Sequence, residues 1–159
     1  MRRIGGLSRE GRRRVELAVE AMASRTVSIV EIGETTTVPI RARAYWNDTG
    51  IAVRIGEHYR LRAEGSWRDF LITSGPDGYE TPWYSLGQRL ASPLRRVPNA
   101  RWFALIGAVR GAERRPFVIG RETETVIPAA GTLKCFANDV PGFYWNNCGA
   151  IYLSIERLS

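Results

Sequence analysis

Leu133-Lys134-Cys135-Phe136-Ala137-Asn138-Asp139-Val140-Pro141-Gly142-Phe143-Tyr144-Trp145-Asn146-Asn147-Cys148-Gly149-Ala150-Ile151-Tyr152-Leu153-Ser154-Ile155 is two apolar, strand-like runs joined by a polar turn. Strands are predicted over 133–137 and 150–155, with Ile151, Leu153 and Ile155 on one face at period two. Between them lie an acidic residue, a Pro-Gly turn and an Asn pair. These are ordinary turn formers, so composition alone leaves a plain turn open. The Asn pair, however, comes after the turn, where strand residues should resume and asparagine is disfavoured. Side-chain oxygens of Asp and Asn, with carbonyls turned inward by a tight turn, suit a calcium ion, which takes about six to eight oxygens. The spacing is not that of an EF-hand, which needs D-x-D-x-D-G and a closing Glu.

Working outward, the same alternation recurs. Thr26 to Ile32 is β-branched. Val38, Ile40, Ala42, Ala44 and Trp46 alternate, Asn47 to Gly50 reads as a turn, and Ile51, Val53 and Ile55 alternate again. Gly56-Glu57 turns the chain into Tyr59, Leu61 and Ala63. Further strands are predicted over 101–109, 116–119 and 123–127. Residues 66–100, with four Pro and the aromatics Trp67, Tyr79, Trp83 and Tyr84, read as one long irregular loop of the kind that carries function. About eight short strands bounded by turn residues predict a mainly β chain, an antiparallel β-sandwich. One helix is predicted, over 8–24, capped by Ser8 and carrying an apolar stripe of Val15, Ala18, Val19 and Met22. The division expected is residues 1–35 as helix and lead-in strand and 36–159 as the sandwich domain.

The loop Asn138 to Gly149 resembles the calcium loop of the PA-I-type (LecA-like) bacterial lectins, N-D-V-P-G-x-Y-x-N-N-x-G, at every fixed position. Gly56-Glu57-His58-Tyr59-Arg60-Leu61-Arg62-Ala63-Glu64-Gly65 resembles the upstream strand and turn of that family. The resemblance spans 36–157 and implies a jelly-roll-like, galactose-binding sandwich in which calcium bridges protein and two vicinal sugar hydroxyls. It implies ion ligands from the Asp139 carboxylate, the Asn146 and Asn147 side chains, the Phe143 carbonyl and a carbonyl near Asp69. It implies sugar contacts from Asp139, Val140 and Asn146. With one carboxylate against a doubly charged ion, the site is expected to be net positive.

Two departures matter. Trp145 stands where the galactose lectins have Gly, as a stacking wall for sugar, as a cover over the ion or as a contact for chain-to-chain packing. The family also holds sugar with a His and a Gln from a separate loop. In the corresponding stretch, 76–89, there is no His, and Gln88, Glu80 and Trp83 are candidates by position alone. The ligand expected is a galactose-type glycan, and the particle a homo-oligomer. The alternative is a non-catalytic β-sandwich interaction or assembly module that kept the loop without binding sugar.

Other classes fit poorly. His58 is the only histidine, and no nucleophile-and-base motif, P-loop or dinucleotide fingerprint occurs, so no enzyme is expected. Asp69, Asp77, Glu80 and Asp139 give no reason to be paired as glycosidase carboxylates. Net charge is +7, nearly all from arginine, with Lys134 the only lysine. The arginines are scattered and no nucleic-acid motif accompanies them, so no nucleic-acid partner is expected. No run is apolar enough to insert in a membrane. The two N-terminal arginines lack an apolar segment behind them, so no secretory signal is expected, leaving the cytoplasm or a non-classical route of release. Cys135 and Cys148 are expected as free, largely buried thiols.

Overall fold

A computed structural model of the chain describes residues 27–159. The helix expected over 8–24 therefore lies outside the described residues. The rest is two five-stranded antiparallel sheets.

The first sheet contains β1 (Thr35–Arg41), β10 (Asn147–Arg157), β3 (His58–Asp69) and β4 (Ile72–Ser74) in that order, with β8 (Glu122–Val126) also paired to β3. The second contains β2 (Asn47–Val53), β9 (Gly131–Ala137), β6 (Trp102–Val109) and β5 (Asp77–Tyr79), with β7 (Phe117–Val118) paired to β6. The period-two patterns become the facing layers. Ile40, Leu61, Ala63, Ile151, Leu153 and Ile155 come from the first sheet, and Ile51, Val53, Leu105, Val109, Leu133 and Cys135 from the second, in one buried cluster. Burying such side chains contributes about 1.5–3 kcal/mol each. The β-sandwich expected from the alternation is the fold observed.

Strand β6 is buried at every position, because both faces of the second sheet are covered there. Its outward residues Ala104 and Ile106 join Ala100 and Phe136 in a second small core, closed by Trp46 and Val97. Over it lies the Arg96 guanidinium, 3.4 Å from the Phe136 ring centre and 4.1 and 4.2 Å from those of Tyr45 and Trp46. A guanidinium over ring faces is attracted by their quadrupoles and keeps its hydrogen bonds in the ring plane. Arg96 donates to the Tyr45 carbonyl at 2.5 Å and to Tyr144 Oη at 3.1 Å.

Several local expectations are corrected. Asn47 to Gly50 is not a turn but the start of β2. The reversal falls earlier, at Arg41–Ala44, where Asn47 Oδ1 accepts from Arg41 N and Asn47 Nδ2 donates to Arg41 O. The Asp and Gly that looked like turn residues serve a register shift between Asp48 and Ala52. This also ends the predicted 38–46 alternation at Arg41. Ser28 and Ile32 make only isolated parallel bridges rather than a strand. The stretch 66–100 is not one loop. Residues 66–69 finish β3, and β4, β5, the helix α1 (Leu86–Ala91) and a single 3-10 turn (Ser92–Leu94) follow. Strand β5 approaches β6 so closely that a Cβ on Gly78 would lie 2.1 Å from the Trp102 carbonyl, and φ there is +71°. Only glycine fits both conditions. Cys135 is buried as expected, but Cys148 is exposed, and both are free.

Candidate functional site

Val140-Pro141-Gly142-Phe143 forms the turn of the loop after β9. Phe143 N donates to Val140 O at 3.2 Å, with Pro at the second position and Gly142 at φ +94°, as such a turn requires. One 3-10 turn (Tyr144–Asn146) follows, and Asn147 enters β10 opposite Asp69 at the end of β3. The Pro-Gly turn thus brings the loop acid back beside the Asn pair.

The loop is held from beneath. Asn138 is fully buried. Its Nδ2 donates to the carbonyls of Val97 (2.9 Å), Ala100 (3.3 Å) and Arg101 (2.9 Å), and its Oδ1 accepts from Val97 N at 3.0 Å. Tyr144 Oη donates to Ala137 O at 2.6 Å, and Arg96 N donates to Asp139 O at 3.1 Å. The sequence placed Asn138 and Tyr144 in the motif without a role. The structure makes them the anchors.

Above these anchors Asp139 is buried. Its carboxylate accepts from Val140 N at 2.7 Å and from Asn147 Nδ2 at 2.9 Å. A carboxylate has about four acceptor positions, so half its capacity remains. Burial pushes its pKa up; the two hydrogen bonds oppose this and repulsion from Asp69 adds to it. Asp69 is also raised, by burial, against a hydrogen bond from Tyr79. Two acidic side chains, Asp139 and Asp69, therefore line this part of the molecule. Asp69 was expected to offer a carbonyl. Its side chain also takes part, accepting from Tyr79 Oη at 2.5 Å.

Asn146 Oδ1 and Asn147 Oδ1 are buried, and neither has a hydrogen-bond partner among the described residues. Such atoms are uncommon, because an unpaired buried acceptor costs about 1–3 kcal/mol. With the Asp139 carboxylate, which Asn147 touches, they give an all-oxygen donor set of one acid and two amides. That set matches the chemistry of a hard cation such as calcium.

A cavity of about 600 Å³ opens beside them. Asp69, Asp139, Val140, Phe143 and Asn146 line it, so the fold gathers these sequence-predicted residues from both sheets. Gln88 reaches it from α1, while Tyr84, Phe70 and Leu71 provide apolar wall. The short helix owes its start to Ser85, whose Oγ accepts from Gln88 N at 3.3 Å.

No protein-family model and no curated protein matches this sequence. Among solved structures, the chain is similar in fold to the N-terminal domain of EclA, a PllA-like lectin. The likeness covers 76% of this chain and 94% of that one, at a TM-score of 0.59 and 20% sequence identity.

Four of the expected residues lie outside the cavity lining. Asn147 does not line the cavity; its amide ties Asp139 in place from behind. Trp145 is 67% exposed and outside the lining. Trp83, 86% exposed, packs edge-on against Tyr84 at 5.8 Å and is likewise outside. Glu80 is paired with Arg101 at 2.8 Å. Tyr79 stood in the sequence only among the aromatics of the 66–100 stretch, with no role of its own. It lies on a three-residue strand whose pattern is too short to show a face.

Proposed function

We propose that this chain is a calcium-dependent carbohydrate-binding protein, with calcium bridging the protein and vicinal hydroxyls of a galactose-type glycan. The observation that carries this reading is the pair of buried, unpartnered amide oxygens of Asn146 and Asn147 beside the Asp139 carboxylate. Asp139, Asn146 and Asn147, with the carbonyls of Phe143 and Asp69, would hold the ion. Bound calcium supplies a positive centre on which hydroxyl oxygens can replace water. Val140 and Asp139 then lie at the sugar's edge, and Gln88 across the cavity. The fold likeness to a lectin domain supports the reading, as does the loop motif. No step in it needs catalysis by the chain.

A monosaccharide has few heavy atoms and is well solvated, so each site binds weakly, and useful avidity calls for several sites in a homo-oligomer. Calorimetry tests the reading in two stages. Calcium titrated into the protein should bind with Kd of the order of 10⁻⁴ M, the range of extracellular modules. Methyl galactoside should then bind in calcium and not in chelator. Calcium binding with no glycoside response would favour the interaction-module reading. No calcium binding at millimolar concentration would sink the proposal.

A further inference from the structure

Beside the cavity, three side chains form a directed relay. Gln88 Nε2 donates to Tyr79 Oη at 2.8 Å, and Tyr79 Oη donates to Asp69 Oδ2 at 2.5 Å. The direction follows from donor count. The phenol has a single hydrogen, and it is given to Asp69 Oδ2. The Tyr79 oxygen must then accept from Gln88, and only the amide nitrogen can give. The orientation of an amide is ordinarily ambiguous and is decided by its network; here the acid at the far end decides it. Gln88 Oε1 becomes the free end. It is buried and has no partner among the described residues, on a residue that lines the cavity.

We propose that Tyr79 is a specificity-determining positioning residue, which locks the Gln88 amide so that the cavity demands a hydrogen-bond donor from its ligand. This rests on the carbohydrate reading above and deepens it. A free sugar hydroxyl satisfies the demand. A fluorine or a methyl ether at the same carbon cannot donate and leaves Oε1 buried and unpaired, a loss of about tenfold in affinity. Without the Tyr79 hydroxyl the amide is free to turn, and the distinction fades.

The test is calorimetry in calcium with methyl galactoside and its monodeoxyfluoro and mono-O-methyl derivatives. Each is titrated into wild type, Tyr79→Phe and Gln88→Leu. Hydroxyls held by the ion should be required equally in all three proteins. One further hydroxyl should show a loss of about tenfold on replacement in the wild type, falling below about threefold in both variants. Helix α1 has no buried residues, so Gln88→Leu leaves the core intact and carries the test even where Tyr79→Phe does not fold. Equal discrimination in wild type and variants overturns the relay alone, as does a wild type in which only the ion-held hydroxyls matter. A wild type that binds calcium but no methyl galactoside overturns the carbohydrate reading, and this inference with it.

Discussion

At the scale of single residues, Asp139 concentrates the chemistry, and its behaviour with pH can be worked out. Its folded pKa lies above the ordinary carboxylate value because burial disfavours the charge, with Asp69 adding repulsion. Between the ordinary and the raised pKa, the folded chain holds a proton that the unfolded chain has lost. Without metal, this residue's contribution to stability is therefore best at low pH and falls as pH rises through that window. A calcium ion held by this carboxylate, as proposed, would need the ionised form, so protons would compete with it and calcium affinity should fall as pH drops through the same window. Melting temperatures from pH 4 to 7, in calcium and in chelator, should show the calcium gain of the wild type shrinking towards the acid end. Asp139→Ala should show no gain at any pH. A gain in the wild type that does not change with pH would mean that this carboxylate is not a ligand. The loop residues were legible in the sequence because Asp, Pro-Gly and Asn-Asn each have a distinct use in one short stretch. Tyr79 and Asn138 were not, because a phenol or an amide in a sequence does not disclose its hydrogen-bond partner.

At the scale of elements, the long strands were legible and the short ones were not. Strands β3 and β10 run for 12 and 11 residues, and their alternation covers several periods. Strands β4 and β5 have three residues each, less than two periods, and sit among Pro and Gly. Pairing with β3 and β6 creates them, so the stretch read as a loop carries a sheet edge and the helix that bears Gln88. The turn expected at Asn47 failed for a related reason: the asparagine side chain closes a turn that lies before it in the chain.

The 92–101 segment shows how such a stretch can matter. Arg96 joins it to the aromatic cluster of Tyr45, Trp46, Phe136 and Tyr144, and through its backbone N–H to Asp139. Arg96→Met keeps the chain length and removes the planar cation. The lost ring contacts and hydrogen bonds predict destabilisation by about 2 kcal/mol in chelator, and weaker calcium binding as the loop loosens. Urea unfolding measures the first and calorimetry the second. A loss below about 0.5 kcal/mol, the range of an ordinary surface change, would show that the cluster stands without its cation.

For the whole molecule, charge and metal act differently. The excess arginine is dispersed rather than gathered: Arg60 pairs with Glu124 and Glu156, Arg62 with Glu122, Arg121 with Asp77 and Arg157 with Glu57. Of these, the exposed pairs such as Arg62–Glu122 and Arg121–Asp77 contribute little each and weaken in salt. A cation at the candidate site would act on the entire sandwich, because its ligands arrive from both sheets. Asp69 and Asn147 lie at strand ends of the first sheet, and Asp139 follows β9 of the second. In the unfolded chain Asp69 and Asp139 are far apart in sequence, so the ion binds the folded state selectively. Binding of that kind stabilises by mass action, about 2.7 kcal/mol when free calcium is a hundredfold above its Kd. For a domain of this size that is roughly 5–10 °C in melting temperature. The shift should grow with the logarithm of calcium concentration once the site is saturated, since each tenfold adds the same increment of free energy. Magnesium, which is smaller and keeps its water, should give a much smaller shift at equal concentration. A melting curve that is the same in chelator and in 10 mM calcium, a concentration about a hundredfold above the expected Kd, would leave the two unpartnered asparagine oxygens without an ion. The loop would then be a rigid hairpin on an interaction module.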